Sequence, residues 1–226
     1  MDARDSTVVI AMDGPAASGK STVARELARR LGYRFFNSGD LYRAMTRGCL
    51  RQGVDCRDAR AVALASENVQ IDIAADDHQY FPIITGEDAR PYLRGENVNA
   101  NVSHVSAVPE VRSVITDTIR KHAQGRQTVI EGRDIGSAVF PETPFKFYID
   151  ASPEVRQQRR RNEGQTEEIA RRDSIDSTRS TAPLSVAPGA VVIDTSDLAV
   201  AGVVAAILGK LREMGLPAAS ALCSNE

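Results

Sequence analysis

Three features of this 226-residue sequence predict an α/β fold, a parallel sheet flanked by helices. Short β-branched apolar runs alternate with amphipathic stretches along the chain, the pattern of strands joined by helical crossovers. Several of these runs are apolar throughout, as in a sheet covered on both faces. The first run also passes through a glycine-containing loop straight into a helix-spaced segment, a strand–loop–helix unit.

Thr7–Met12 (TVVIAM) reads as the first strand. Residues 20–32 carry Val23, Ala24, Leu27, Ala28 and Leu31 at helical spacing and stop at Gly32, a residue suited to ending a helix. Residues 33–37 (YRFFN) form a second strand, and 40–53 and 58–68 read as helices. VQIDIA (69–74) and YFPIITG (80–86) alternate around a polar turn. They predict a small antiparallel insertion at about residues 66–105. Residues 105–125 are expected to form one helix. Strands follow at 128–132 (TVIEG) and 145–150 (FKFYID), then polar, arginine-rich helices at 153–164 and 166–180. A last strand at 190–194 and a largely apolar helix at 197–215 complete the alternation.

The composition is that of a soluble globular protein, 42% hydrophobic and 26% charged. A net charge of −2 supplies no global field for nucleic acid or an anionic membrane. The N-terminal segment is acidic and lacks a long apolar run, so no signal or membrane anchor is expected there and a cytoplasmic location is. Cys49, Cys56 and Cys223, with His78, His104 and His122, show no metal-ligand spacing.

Gly14–Thr22 (GPAASGKST) fits G-x-x-x-x-G-K-[ST] and lies between the first strand and the first helix, the context that turns the pattern into a phosphate site. The loop of Gly14, Pro15, Ala16, Ala17, Ser18 and Gly19 can close its backbone N–H groups, which all but Pro15 carry, around phosphate oxygens at the helix's positive end. Lys20 can reach the β- and γ-phosphates, Ser21 can ligate Mg²⁺, and Thr22 completes the motif. A guanine-reading N-K-x-D segment is absent, which excludes a typical GTPase.

A phosphoryl-transfer enzyme of this size needs a second anion pocket. Ser38 and Arg43 lie at or just beyond the carboxyl end of the second strand, where ligands sit in open α/β sheets. Arg133 and Asp134 leave the strand ending in EG on the same edge. Arg133 suits an oxyanion clamp, whereas Asp134 serves equally as a turn former or a ligand. Arg156, Arg159, Arg160 and Arg161 crowd nearby helical faces, which a polyphosphate would neutralise. With Gly164 as a break, this segment reads as a flap able to close over a nucleotide. If RRDSIDSTRS is helical, Arg172, Asp176 and Arg179 stack on one face at i, i+4 and i+7. That row is a solvated ion-pair face or a ligand-reading ruler.

The segments AMDGPAASGKST, FFNSGDLYRAMT, GEDARPYLRGENVNANVSHVSAVPEVR, IEGRDIGSAVFP, FYIDASPEVRQQRR, RRDSIDSTRSTAPL and VVIDTS occur in that order. In them the chain resembles a bacterial-type cytidylate kinase of the nucleoside monophosphate kinase family over almost its whole length. The resemblance implies a single kinase domain, 1–226, of P-loop fold, with the monophosphate-binding insertion at about 66–105 and a short helical lid at about 156–172. It implies transfer of the γ-phosphoryl of ATP to CMP and dCMP with Mg²⁺, by a monomer. Ser38, Arg43 and Arg133 would hold the acceptor phosphate; Ser103, Arg112, Asp134 and Arg179 would read the cytosine edge. Arg172 and Asp176 would contact the ribose. Lys20, Arg133, Arg156 and Arg160 would be catalytic, with Arg159 on the donor phosphates. Asn37 and Asp40 depart from the family's usual acidic and small residues. An AMP, UMP or shikimate kinase and a non-catalytic nucleotide-binding module are the alternatives.

Overall fold

The computed structural model describes residues 7–77, 79–162 and 169–216, with the side chains of 169–172 excluded. His78, Gly164, Cys223 and the Arg172 side chain therefore lie outside the described residues. Five strands form the main sheet: β1 (Val8–Asp13), β2 (Arg34–Asn37), β6 (Gln127–Gly132), β7 (Lys146–Asp150) and β8 (Val191–Asp194). Their order is β2-β6-β1-β7-β8, and every neighbouring pair is parallel. A separate antiparallel sheet joins β3 (Ile71–Ala75), β4 (Tyr80–Ile84) and β5 (Glu87–Asp88).

Strand β1 shows why both faces need cover. Val9 and Ala11 point into one core with Leu41, Met45, Ile115 and Ile119. Ile10 and Met12 point into the other with Val23, Leu27, Val204 and Ile207. Helices α2 (Ser38–Arg51), α3 (Ala59–Ser66), α4 (Glu96–Ser106) and α5 (Pro109–Ala123) thus cover one face. The other is covered by α1 (Lys20–Leu31) and α8 (Val200–Glu213). Burying a large apolar side chain contributes about 1.5–3 kcal/mol, so these two layers outweigh local propensity wherever the two conflict.

Two expectations are corrected. The single helix expected over 105–125 is two, because Pro109 has no N–H to continue a preceding helix and instead starts α5 at its first position. The segment before it, left without an element in the sequence, forms α4. Asn97, Asn99 and Asn101 weaken its propensity, but Val98, Val102 and Val105 recur at helical spacing and are buried. Antiparallel strands therefore make up only part of residues 66–105. Helices α6 (Pro153–Asn162) and α7 (Ile169–Thr178) flank the excluded segment. No described helix is long and apolar enough to cross a membrane.

Candidate active site

A cleft of about 640 Å³ opens at the carboxyl ends of β1, β2 and β6. Its floor is the loop between β1 and α1. A Cβ on Gly14 would lie 2.1 Å from the Ile149 carbonyl oxygen, so only glycine lets the chain leave β1 this close to β7. Ala17 has φ 58° and Gly19 φ 87°. Left-handed residues in such a turn aim successive N–H groups into one concavity, an anion nest. Lys20 Nζ bridges the loop to the Pro15 carbonyl at 3.0 Å. Ala16, Ala17, Gly19, Lys20, Ser21 and Thr22 line the cleft, while Gly14, Pro15 and Ser18 are buried away from it.

The opposite wall is built from distant elements. Ser38 begins α2, Arg43 lies one turn later, and both line the cleft. Arg43 is buried and donates to the Leu93 carbonyl at 3.0 Å and to Asn99 Oδ1, tying α2 to α4 and the segment before it. Gly132 allows β6 to end against α2, since a Cβ there would stand 2.6 Å from Ser38 Oγ. Arg133 donates to the Gly14 carbonyl at 2.8 Å and pairs with Asp176 at 3.1 Å and Asp173 at 3.6 Å.

Behind them lies a lattice in which four arginines share three aspartates. Asp134 accepts from Arg112 and, at 3.3 Å, from Arg179, which also pairs with Asp176 at 3.8 Å. Burial first, then the neighbouring Arg112, pushes the Arg179 pKa down. Arg112 stacks over Tyr42, 5.4 Å from the ring centroid, and donates to the Ser106 carbonyl at 3.1 Å. Asp173 accepts from the Ala16 N–H at 3.0 Å and from Arg156. Arg159 grips Thr195 through Oγ1 at 3.1 Å and the carbonyl at 2.8 Å.

Ser38, Arg43, Ser103, Arg133, Asp134, Arg159, Arg160, Asp176 and Arg179 thus meet at one cleft with Lys20 and Ser21. Arg112 and Arg156 stand behind its surface, Arg112 holding Asp134 and Arg156 holding Asp173 and the Ala16 carbonyl at 3.2 Å. Four further residues belong to the site. Asp13 bonds the turn after Arg133. Asp173 ties the loop after β1 to two arginines. Glu131 lines the cleft 2% exposed, with neither carboxylate oxygen accepting a hydrogen bond. Thr195 anchors Arg159. An acid ending an apolar strand is the signal Asp13 and Glu131 share in the sequence; Asp173, three residues before Asp176, continues a helical face.

A family model described as cytidylate kinase matches residues 10–213. A cytidylate kinase from Mycobacterium leprae (strain Br4923) is 42% identical over 218 residues, covering 91% of this chain and 96% of that protein. One from Caldanaerobacter subterraneus subsp. tengcongensis is 41% identical over 219 residues, covering 92% and 96%. One from Geobacillus kaustophilus (strain HTA426) is 41% identical over 217 residues, covering 91% and 97%.

Proposed function

The chain belongs to the cytidylate kinase family, and we propose that it transfers the γ-phosphoryl of ATP to CMP, and to dCMP, giving ADP and CDP or dCDP. One observation carries the reading at the level of residues. The phosphate nest of Gly14–Thr22 faces a wall of arginines and aspartates across a single cleft.

The donor phosphates lie on the nest, with Lys20 leaving Pro15 to meet the β- and γ-phosphates. Leu198 and Val200 are exposed apolar side chains at the same cleft, beside Arg159, and offer the donor base a flat contact. The acceptor phosphate sits on Ser38, Arg43 and Arg133. Cytosine presents a donor amine beside acceptors. Asp134 and Arg179, with Ser103 and Arg112 in support, match that edge, while Asp176 and Arg172 take the ribose hydroxyls. A monophosphate oxygen is already nucleophilic at neutral pH, so positioning and charge neutralisation by Lys20, Arg133, Arg156 and Arg160 supply the catalysis. The insertion near 66–105 and the lid near 156–172 close on the two substrates within one domain, 1–226, and so exclude water.

The site fits a magnesium ion. Glu131 is a buried carboxylate without a hydrogen-bond partner on the cleft wall that Ser21 also lines, and these two residues would hold the ion. When bound, Mg²⁺ neutralises charge on the donor phosphates. The protein acts as a cytoplasmic monomer on small molecules, without nucleic acid or membrane.

A coupled ADP-release assay with ATP against CMP, dCMP, UMP, AMP and shikimate tests the reading. CMP and dCMP should give the highest efficiencies. Preference for another acceptor would replace the substrate, and ATP binding without acceptor-dependent ADP release would make the protein a nucleotide-binding module.

A further inference from the structure

Asp13 is the last residue of β1 and directly precedes the phosphate loop. Its side chain turns towards the neighbouring strand's exit. One carboxylate oxygen accepts the Ile135 N–H at 2.7 Å and the other accepts the Gly136 N–H at 2.8 Å. The two amides follow immediately after Arg133 and Asp134. A Cβ on Gly136 would lie 3.4 Å from the carboxylate and 3.2 Å from the Lys146 stem, so the turn packs closely against the acid. Arg133 adds a third tie in the opposite sense, from the acceptor side to the Gly14 carbonyl.

The position is costly for an acid. Asp13 is 3% exposed, and burial pushes its pKa up to about 6 against the two amides that favour its charge. Asp134 repels it and Lys20 attracts it. Apolar side chains at this strand end would carry no such desolvation cost. What the carboxylate does that they cannot is accept two N–H groups at once, fixing both the height and the tilt of the turn.

We infer that Asp13 is a positioning residue, which holds the turn 133–136 in register with the phosphate loop and so aims Arg133 and Asp134 at the acceptor nucleotide. The inference rests on the cleft being a monophosphate kinase site. Asp13 touches neither substrate. It acts through Arg133 and Asp134 and gives the two phosphate pockets one common anchor at the end of the central strand.

Asp13→Asn preserves shape but replaces one acceptor oxygen with an amine that faces an N–H. Efficiency with CMP should fall at least about tenfold, the cost of one buried hydrogen bond, while the Kd of Mg·ATP without CMP stays within about twofold. Thr143→Val is the comparator, because Thr143 Oγ1 donates to the Val9 carbonyl at 2.6 Å at the other end of the same strand, away from the cleft. It should lower the melting temperature and leave both kinetic readouts unchanged. Wild-type CMP efficiency in Asp13→Asn, or equal losses for ATP and CMP, would overturn the inference. Amide hydrogen exchange on the wild-type protein needs no variant to fold. Ile135 and Gly136 should be protected to the level of Ile130, and free exchange would also overturn it. A wild-type protein inactive on CMP would instead refute the kinase reading, and the exchange result would stand apart from it.

Discussion

The two sides of the cleft are made in opposite ways. The proposed donor side is one contiguous stretch, Gly14–Thr22, offering chiefly backbone N–H groups at the start of α1. The proposed acceptor side draws Ser38 and Arg43 from α2, Ser103 from α4, Arg112 from α5, Arg133 and Asp134 from the exit of β6, and Asp176 and Arg179 from around α7. Backbone amides bind any phosphate chain, because every residue but proline carries one. Side chains brought from five elements can instead be matched to one sugar and one base. On the proposed assignment, the difference would put generality on the donor side and selectivity on the acceptor side.

That division can be broken. Lys20→Ala removes the charge aimed at the transferring group and should cut turnover by about 10²–10³-fold. CMP binding, measured by calorimetry, should barely change; a comparable loss of CMP affinity would join what is here kept separate. The next largest effect is on stability. The pKa of Asp13 is raised in the folded protein, so the folded state binds the extra proton and stability falls as pH rises from about 4 to about 6. Across that window the wild type should lose about 3 kcal/mol relative to Asp13→Asn. Denaturant unfolding of both proteins at several pH values checks this, and a constant difference would contradict it. Arg160→Ala should lower turnover about tenfold without moving the melting temperature, since an arginine of the proposed lid, on the cleft wall, would act in the closed state. A lower melting temperature at unchanged rate would make the basic helix a structural face. Smallest of all, Leu198→Ala should weaken ATP a few-fold and leave CMP alone, because it trims an exposed apolar contact.

The same contrast explains what could be read from the sequence. Contiguous features were legible. The strands appear as apolar runs because both sheet faces are covered, and the phosphate loop appears as spacing between a strand and a helix. Helix α4 was not, because its asparagines mask a valine stripe whose value lies in packing against α2 and α5. The break at Pro109 was visible as a proline, yet the apolar pattern ran through it. On the acceptor side the arginines stood out as charges, but their partners did not. Asp173 meets Arg133 and Asp134 meets Arg179 across 40 and 45 residues respectively. Arg133 was legible as an oxyanion clamp, only the family resemblance gave Arg112 a role in advance, and Asp173 was given none. Neither Asp13 nor Glu131 stood out in the sequence, since nothing local separates a buried acid that holds a turn from one at a strand's exit.

Selectivity on the acceptor side is the central claim, and the CMP/dCMP efficiency ratio in two variants tests it most directly. Asp176 is assigned to the ribose and Arg179 to the base, although the two side chains stand 3.8 Å apart. Asp176→Ala should penalise CMP about ten- to a hundredfold more than dCMP, which lacks the 2′-hydroxyl. Arg179→Ala should penalise both alike. An unchanged ratio in Asp176→Ala, or a shifted one in Arg179→Ala, would contradict the assignment.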